Sequence, residues 1–527
     1  MNFKVDNAII LSAGFGSRAV PLTYETPKGL LKVFGKPMIE RQIEQLIEKN
    51  ITDIIIVVGY MKEKFDYLID KYGVRLVFNP EFATKNNLAS LYVVREELKN
   101  SYILMSDNYL EENIFSEYEE KSWFSCPYFE EKTSEWIVTK QSQDGAIEEI
   151  TIGGQDAHAI QGPAFFTNEF SNKFYEFLES YYNKAECADY YWEHILKNEI
   201  SKLPPMYIKD TSGIMHEFEN LEELRAFDKS YFAETNNFIM QTIADVFGCT
   251  QGDVSGIEVV KLGMNNHSFK FSVDNKLYFF RLPGEDMAAL VNRASEKSVY
   301  NQLSDSGIID EVVYFDGESG VRITNFWDNS RIVDPDNDED LNQSMVSIRK
   351  IHELNLKSDI DFDIERKTYY YLDLANELNA IRFSDFDEVM EKMKELYALK
   401  SKLDIPESLC HGDYAHTNVL ILENGEPRVI DFEFSGNGDP IMDIAMFDIF
   451  AYFDRERIDL SLEMYFGRKP NEQEIIRCYL YVAIGGFLWT IWAEYKQAGG
   501  SEFGDYTLKM YRYAKDYYNI LKSMGCI

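Results

Sequence analysis

The sequence predicts an α/β protein of two domains, a doubly wound N-terminal sheet followed by a two-lobed second domain. Three observations predict it. The chain has 527 residues, more than one hydrophobic core holds. Apolar strands and amphipathic helices alternate from Ala8 to Phe78, the order of a parallel sheet wound on both faces. Far downstream, His411-Gly412-Asp413-x-x-x-x-Asn418, then a hairpin-like segment, then Ile430-Asp431-Phe432-Glu433, supplies two carboxylates and an amide in the order that phosphoryl transfer uses.

Bulk properties narrow the class. Hydrophobic residues make up 45% and aromatics 14%, which indicates globular folding rather than disorder. A formal charge of -36 excludes a nucleic-acid partner and suits a cationic substrate. Six scattered cysteines without a CxxC pair suggest reduced thiols and a cytoplasmic protein. The first residues do not read as a signal peptide. The apolar run Cys478 to Ala493 is short for a membrane span and carries Gly485-Gly486, so it is expected to be a core helix without stable membrane insertion. A homo-oligomer is left open.

Taken in order, Ala8–Leu11 is an apolar strand running into Ser12-Ala13-Gly14-Phe15-Gly16-Ser17-Arg18. Small residues after a buried strand let backbone N–H groups approach phosphates. GxG alone is a weak signal, since dinucleotide-binding folds share it. With Arg18 and the downstream Thr26-Pro27-Lys28, however, L-x-A-G-x-G-x-R resembles the signature of nucleoside-triphosphate-dependent nucleotidyltransferases. The resemblance implies that Leu11, Ala13, Gly14, Gly16 and Arg18 hold the triphosphate and that Lys28 sits by the phosphate under attack. A helix (37–50), a strand (53–60), a helix (62–72) and a strand (74–78) follow. Asn86-Asn87-Leu88-Ala89-Ser90 reads as helix capping; it also resembles the base-reading segment of phosphocholine cytidylyltransferases, which implies Asn87, Ala89 and Ser90 at the nucleobase. Asp107 ends the strand beginning at Tyr102, a position suited to Mg²⁺ or to capping a turn. The family's second metal ligand falls on Glu217-Phe218-Glu219, where relatives tend to show E-I-D, and either glutamate fits. Trp136 and Asp189-Tyr190-Tyr191-Trp192 combine aromatics with a carboxylate, which suits a quaternary ammonium. Taken alone such aromatics are more often core; the resemblance implies a choline pocket made by Trp136, Asp189, Tyr190, Tyr191 and Trp192. His158, His194 and His216 lack ligand spacing, so no zinc site is expected.

The second domain is expected to begin near Lys229, giving domains at 1–229 and 230–527. A strand (257–261), a turn with Gly263 and Asn266 (262–268) and a returning strand (269–273) resemble the phosphate-covering hairpin of choline kinases. Arg281, on the strand beginning at Leu277, matches the cation of the ATP phosphates, and Glu296, on a helix over 292–303, is its expected partner. The strand over 321–327 would meet the base; Asn325 replaces the family's acid, leaving adenine and guanine open. The opening motif keeps the protein-kinase spacing from Asp413 to Asn418. It resembles the aminoglycoside phosphotransferase and choline kinase superfamily, which implies a protein-kinase-like fold, Asp413 as base, and Asn418 and Asp431 as Mg²⁺ ligands. Asp443 would buttress the loop. Trp489 and Trp492 share a helix face; with Tyr506 they resemble the choline-facing aromatics of choline kinases. Phe450 stands where eukaryotic choline kinases place an acid, and Asp448 is nearby.

Together the resemblances imply a bifunctional enzyme. It would use ATP and Mg²⁺ to phosphorylate choline, then CTP and Mg²⁺ to convert phosphocholine to CDP-choline and pyrophosphate. The rival readings are ethanolamine and phosphoethanolamine as substrates, a sugar-phosphate nucleotidyltransferase fused to a small-molecule kinase, and a nucleotide-binding sensor without turnover.

Overall fold

The computed structural model describes residues 2–260, 266–284 and 291–527. The chain divides into two compact units, Met1–Val260 with Phe269–Lys276, and Lys261–Ser268 with Leu277–Ile527.

The first unit is built on β1 (Asn7–Ser12), α1 (Met38–Glu48), β2 (Ile54–Val58), α2 (Tyr67–Tyr72), β3 (Arg75–Phe78), α3 (Asn87–Tyr92), β4 (Ser101–Met105), β5 (Asn108–Leu110), β6 (Trp123–Ser125), β7 (Thr133–Gln141), β8 (Ile147–Gly154), β9 (Ala164–Phe166), α4 (Asn168–Tyr182), α5 (Glu193–Glu199), β10 (Tyr207–Lys209), β11 (Met215–Glu217), α6 (Leu221–Phe227), α7 (Ser230–Ala233) and α8 (Phe238–Phe247). Seven strands form one sheet in the order β10-β6-β9-β4-β1-β2-β3. Strands β4, β1, β2 and β3 run parallel, and β9 is reversed against both of its neighbours. Every residue of β1 and β2 is buried, as expected of strands covered on both faces. On α1, Ile39, Ile43 and Leu46 recur at helical spacing and are fully buried. The helix expected over 62–72 is split into a 3₁₀ turn, Lys62–Phe65, and α2, a common way for a helix to open.

In the second part of the chain come β12 (Ser255–Val259), β13 (Asn266–Val273), β14 (Lys276–Pro283), α9 (Arg293–Leu303), β15 (Val312–Phe315) and β16 (Arg322–Asn325). They form a five-stranded sheet in the order β12-β13-β14-β16-β15. Asn266, His267 and Ser268 open strand β13 instead of lying in the expected turn, and the turn's other residues, 262–265 with Gly263, lie outside the described residues. The helical portion holds α10 (Asp338–Glu353), α11 (Ile364–Glu377), α12 (Phe386–Lys400), β17 (Ser408–Cys410), β18 (Val419–Ile421), β19 (Pro427–Val429), β20 (Gly436–Gly438), α13 (Pro440–Phe450), α14 (Arg455–Phe466), α15 (Glu472–Ala498) and α16 (Tyr506–Ser523). The apolar run is a core helix, as expected: α15 is long and apolar enough to cross a membrane, yet 89% of its most apolar window is buried. Its glycines permit that packing. A Cβ at Gly485 would lie 2.3 Å from Met446 Cε of α13, and one at Gly486 would lie 2.6 Å from the Met510 carbonyl of α16. Strands β18 and β19 form the hairpin that carries Asn418 and Asp431 at its base.

Candidate active sites

The first unit contains a cavity of about 600 Å³ at the carboxyl ends of β1 and β4, where such sheets bind ligands. Leu11, Ala13, Gly14, Gly16, Arg18 and Lys28 all line it, as do Asn87, Ser90, Asp107, Asp189, Tyr191 and Glu219. Gly16 has φ 70°, and a Cβ there would press on Lys28 Cβ at 3.1 Å, so the loop geometry depends on glycine. Lys28 donates to Asp107 Oδ2 at 2.6 Å, with side chains only 12% and 15% exposed. Burial disfavours its ammonium, but Asp107 and Glu217 more than offset this and hold its pKa above the usual lysine value. Arg18 donates to Glu219 at the cavity mouth.

Pairing between β11 and β5 sets Glu217 opposite Asn108, the neighbour of Asp107. Burial, and then the Asp107 charge, push the Glu217 carboxyl up to about 7. A cation between Asp107 and Glu217 would relieve that repulsion, so this donor set fits Mg²⁺. Glu219, engaged by Arg18, is the more exposed alternative.

Asn87 Oδ1 accepts from the Trp192 backbone N–H at 2.9 Å, and Ser90 Oγ accepts from Asn79 Nδ2 at 3.0 Å. Ala89 is buried and does not line the cavity. The expected amine pocket is only partly assembled. Trp192 is 0% exposed, stacked on Phe124 at 5.5 Å between ring centres and packed on Phe166 and Phe174. This Trp is core, because an indole sealed among phenyl rings offers no face to a ligand. Trp136 and Tyr190 instead meet around His194, at 4.5 and 4.2 Å, and Tyr191 stacks on it at 6.0 Å. Burial lowers the pKa of His194, favouring a neutral ring. Two residues carry signals that sequence reading missed. His194 is one. The other is Glu193, whose Oε2 is buried without a hydrogen-bond partner among the described residues and whose carboxyl is pushed up to about 8 by burial, with Glu217 and Asp107 adding to it.

The second unit has a cavity of about 620 Å³. Its polar end is lined by Asn266, Arg281, Asp413, Asn418 and Asp431. Arg281 donates to Asp431 Oδ1 at 2.9 Å and to Glu296 Oε1 at 2.6 Å. Glu296 is shared with Arg293 at 3.0 Å and Arg322 at 3.2 Å, and Arg293 also reaches Glu433 at 3.2 Å. Burial, then the Asp431 charge, raise Glu433 to about 7. Asp431 has φ 68° and keeps 30% of its side chain exposed. Asn418 donates to the Asp413 carbonyl at 2.9 Å, which leaves its Oδ1 without a partner among the described residues. That oxygen and the Asp431 carboxylate fit a hard cation.

Asp443 anchors the loop that carries Asp413, accepting from His411 N at 2.7 Å and Gly412 N at 2.9 Å. His352 Nε2 lies 3.0 Å from the same carboxylate, and its Nδ1 lies 2.9 Å from the Tyr465 hydroxyl. Gly412 has φ 81°, and a Cβ there would fall 2.2 Å from the Phe434 carbonyl. Burial and Asp431 raise the Asp413 pKa, against the pull of His411 and Lys367.

The other end of the cavity is aromatic. Phe450 meets Trp489 at 5.1 Å and Trp489 meets Trp492 at 5.5 Å. Trp492 meets Phe503 at 5.1 Å and Tyr506 at 6.4 Å. Asp448 is fully buried in α13 and outside the lining, so it does not replace the acid absent at Phe450.

Comparison with known proteins follows the same division. A nucleotidyl transferase family model matches residues 7–133, and a phosphotransferase enzyme family model matches residues 256–468. Choline-phosphate cytidylyltransferase of Streptococcus pneumoniae is 41% identical over 223 residues, 42% of this chain and 96% of that protein. Protein LicA of Haemophilus influenzae is 27% identical over 258 residues, 47% of this chain and 75% of that protein. The solved structure of choline kinase LicA from Streptococcus pneumoniae is 22% identical with a TM-score of 0.47, covering 54% of this chain and 98% of that one.

Proposed function

We propose, from the premise that the chain belongs over its N-terminal half to the choline-phosphate cytidylyltransferase family and carries a phosphotransferase-family domain after it, that it is a bifunctional enzyme. It phosphorylates choline with ATP and transfers CMP from CTP to the phosphocholine formed. The functional division falls at 1–229 and 230–527, and the setting is cytoplasmic. The observation that carries the reading is the second cavity, where Asp413 and a phosphate-facing arginine share one space with a box of aromatic rings.

In that cavity the choline hydroxyl attacks the γ-phosphorus of ATP and yields its proton to Asp413. Burial makes Asp413 a stronger base than an exposed aspartate. Arg281, fixed between Glu296 and Asp431, faces the nucleotide phosphates. Asn418 and Asp431 would hold Mg²⁺, which supplies positive charge to the phosphates when bound. The rings of Trp489, Trp492 and Tyr506 attract the quaternary ammonium through their faces. The faces of Phe450, Trp489, Trp492 and Phe503 attract a trimethylammonium without stripping hydrogen-bonded water from it, as they would from the ammonium of ethanolamine. This favours choline.

In the first cavity the phosphate of phosphocholine attacks the α-phosphorus of CTP, and pyrophosphate leaves. Lys28 and Arg18 offset the charge that builds on the phosphates. To do so each turns from its carboxylate partner toward the nucleotide. Asp107 and Glu217 would hold Mg²⁺ here, and Asn87 and Ser90 flank the base. Trp136, Tyr190, Tyr191 and Asp189 are the residues left to meet the choline group.

The test is product analysis of the full chain with ATP, CTP and Mg²⁺, offering choline or ethanolamine. Phosphocholine followed by CDP-choline is expected. Turnover of ethanolamine but not choline would overturn the substrate assignment.

A further inference from the structure

Three rings of the expected amine pocket meet a single imidazole of the same chain. His194 lies nearly parallel to Tyr190, at 4.2 Å and 13°, and to Tyr191, at 6.0 Å and 10°. Trp136 stands perpendicular to it at 4.5 Å and 81°. His194 Nδ1 accepts from the Tyr191 backbone N–H at 3.0 Å, and its Nε2 makes no hydrogen bond among the described residues. One hydrogen bond and the ring contacts therefore hold the imidazole in place.

This cluster borders the first cavity. Tyr191 and Asp189 line the cavity, as do Asn86 and Asn87. The Asn86 backbone N–H donates to the Ala188 carbonyl at 2.9 Å, and the Trp192 backbone N–H donates to Asn87 Oδ1 at 2.9 Å. The segment carrying Tyr190 and Tyr191 is thus laced to the cavity wall. Trp136 and Tyr190 do not reach the cavity themselves, because the imidazole covers a face of Tyr190 and stands against Trp136.

We propose that His194 is an internal guest of the first site's amine box: its imidazole fills the space among Trp136, Tyr190 and Tyr191, and the quaternary ammonium of phosphocholine binds by displacing it. The proposal rests on the transferase reading above and deepens it. Rotation of the His194 side chain is the only movement required, and it opens the box toward the cavity through Tyr191, which belongs to both. Burial favours the neutral ring. Aromatic faces attract a full cation more strongly than a neutral ring, so the substrate can replace this guest. The cost of displacement weakens phosphocholine binding, and His194 sets how much.

Two measurements on the full chain test this. In the first, CDP-choline formation from added phosphocholine and CTP is followed for the wild type, His194→Asn and His194→Phe. Asparagine Oδ1 stands at the same bond separation from the backbone as histidine Nδ1, so His194→Asn keeps an acceptor for the Tyr191 N–H and clears the ring. His194→Phe keeps a ring in the box. In His194→Asn, KM for phosphocholine is expected to fall roughly threefold to tenfold, with kcat and KM for CTP within about twofold, because a site that is closed part of the time binds in proportion to its open fraction. No fall is expected in His194→Phe. A fall in both variants, or in neither, would overturn the proposal.

In the second, the wild type carrying ¹³C-labelled histidine is titrated with phosphocholine and with tetramethylammonium, and the His194 ring resonance, identified by its absence from either variant, is followed by NMR. Both ligands are expected to move it from its ring-shifted position toward that of an exposed histidine. A resonance that saturating phosphocholine leaves unmoved, in an enzyme that forms CDP-choline, would overturn the displacement and leave the transferase reading intact. If phosphocholine is not turned over but tetramethylammonium moves the resonance, the substrate assignment fails and the displacement stands.

Discussion

Both cavities set a cation against a carboxylate at their polar end, and they build that contact differently. In the first unit the Lys28 ammonium donates to Asp107, with Glu217 acting on it as well. In the second, the guanidinium groups of Arg281, Arg293 and Arg322 interlock around Glu296, with Asp431 and Glu433 closing the network. A lone pair of this kind can part by a rotamer change when a triphosphate arrives. An interlocked network cannot open without leaving several buried charges unpaired. The first contact is thus one that a ligand can replace, while the second is held as a network.

The most severe way to break this contrast is to remove one chemistry at a time. Asp413→Asn is expected to lower choline phosphorylation by roughly 10²- to 10⁴-fold, with CDP-choline formation from added phosphocholine unchanged. Lys28→Ala should do the reverse, costing the transferase roughly 10²- to 10³-fold. Both are read by separate product assays, and loss of both activities from either change would show that the sites are not independent.

The difference in charge architecture should appear in stability. Glu296→Gln removes the hub of the arginine network and is expected to cost about 3–5 kcal/mol in denaturant melts. Asp107→Asn removes one partner of one pair and is expected to cost about 1 kcal/mol. Equal costs would erase the distinction.

The aromatic residues sharpen the comparison further. Trp192→Phe opens space in a sealed core and should lower stability by about 1–3 kcal/mol while leaving KM for phosphocholine near its original value. Trp492→Phe, on a cavity wall, should raise KM for choline by roughly threefold to tenfold, as weaker cation–π attraction predicts, with little change in stability.

Another effect is pH-dependent. The Glu193 carboxyl is held up at about 8, chiefly by burial, so between its unfolded value and that pH the folded chain binds the extra proton. Its contribution to stability is fully present below the unfolded value of about 4.3 and is lost as pH rises through about 8. Urea midpoints of Glu193→Gln and the wild type should therefore diverge as pH rises, in favour of the glutamine variant.

Sequence reading reached what is written in short contiguous spacing. The Gly14–Arg18 loop, Lys28, Asp107, Asp413, Asn418 and Asp431 all lie at the polar ends of the two cavities. It did not separate Trp192 from Trp489, because an aromatic residue looks the same whether its neighbours are ring faces or a cavity. Glu193 stayed invisible for a related reason. Its character comes from burial beside charges distant in sequence, which no local motif encodes. The choice between Glu217 and Glu219 is not written in spacing: the β11–β5 pairing sets Glu217 opposite Asn108, the neighbour of Asp107, while Glu219 lines the cavity.

The Asp443 anchor has a consequence for heat inactivation. The backbone of His411 and Gly412 hangs from a carboxylate of core helix α13, and that carboxylate is itself held by His352 of α10. A catalytic loop tethered only by solvent-exposed contacts loosens before its domain melts. Here the loop and the core helices share a single buried carboxylate. Kinase activity should thus survive warming until the helical core gives way, and vanish with it in one transition.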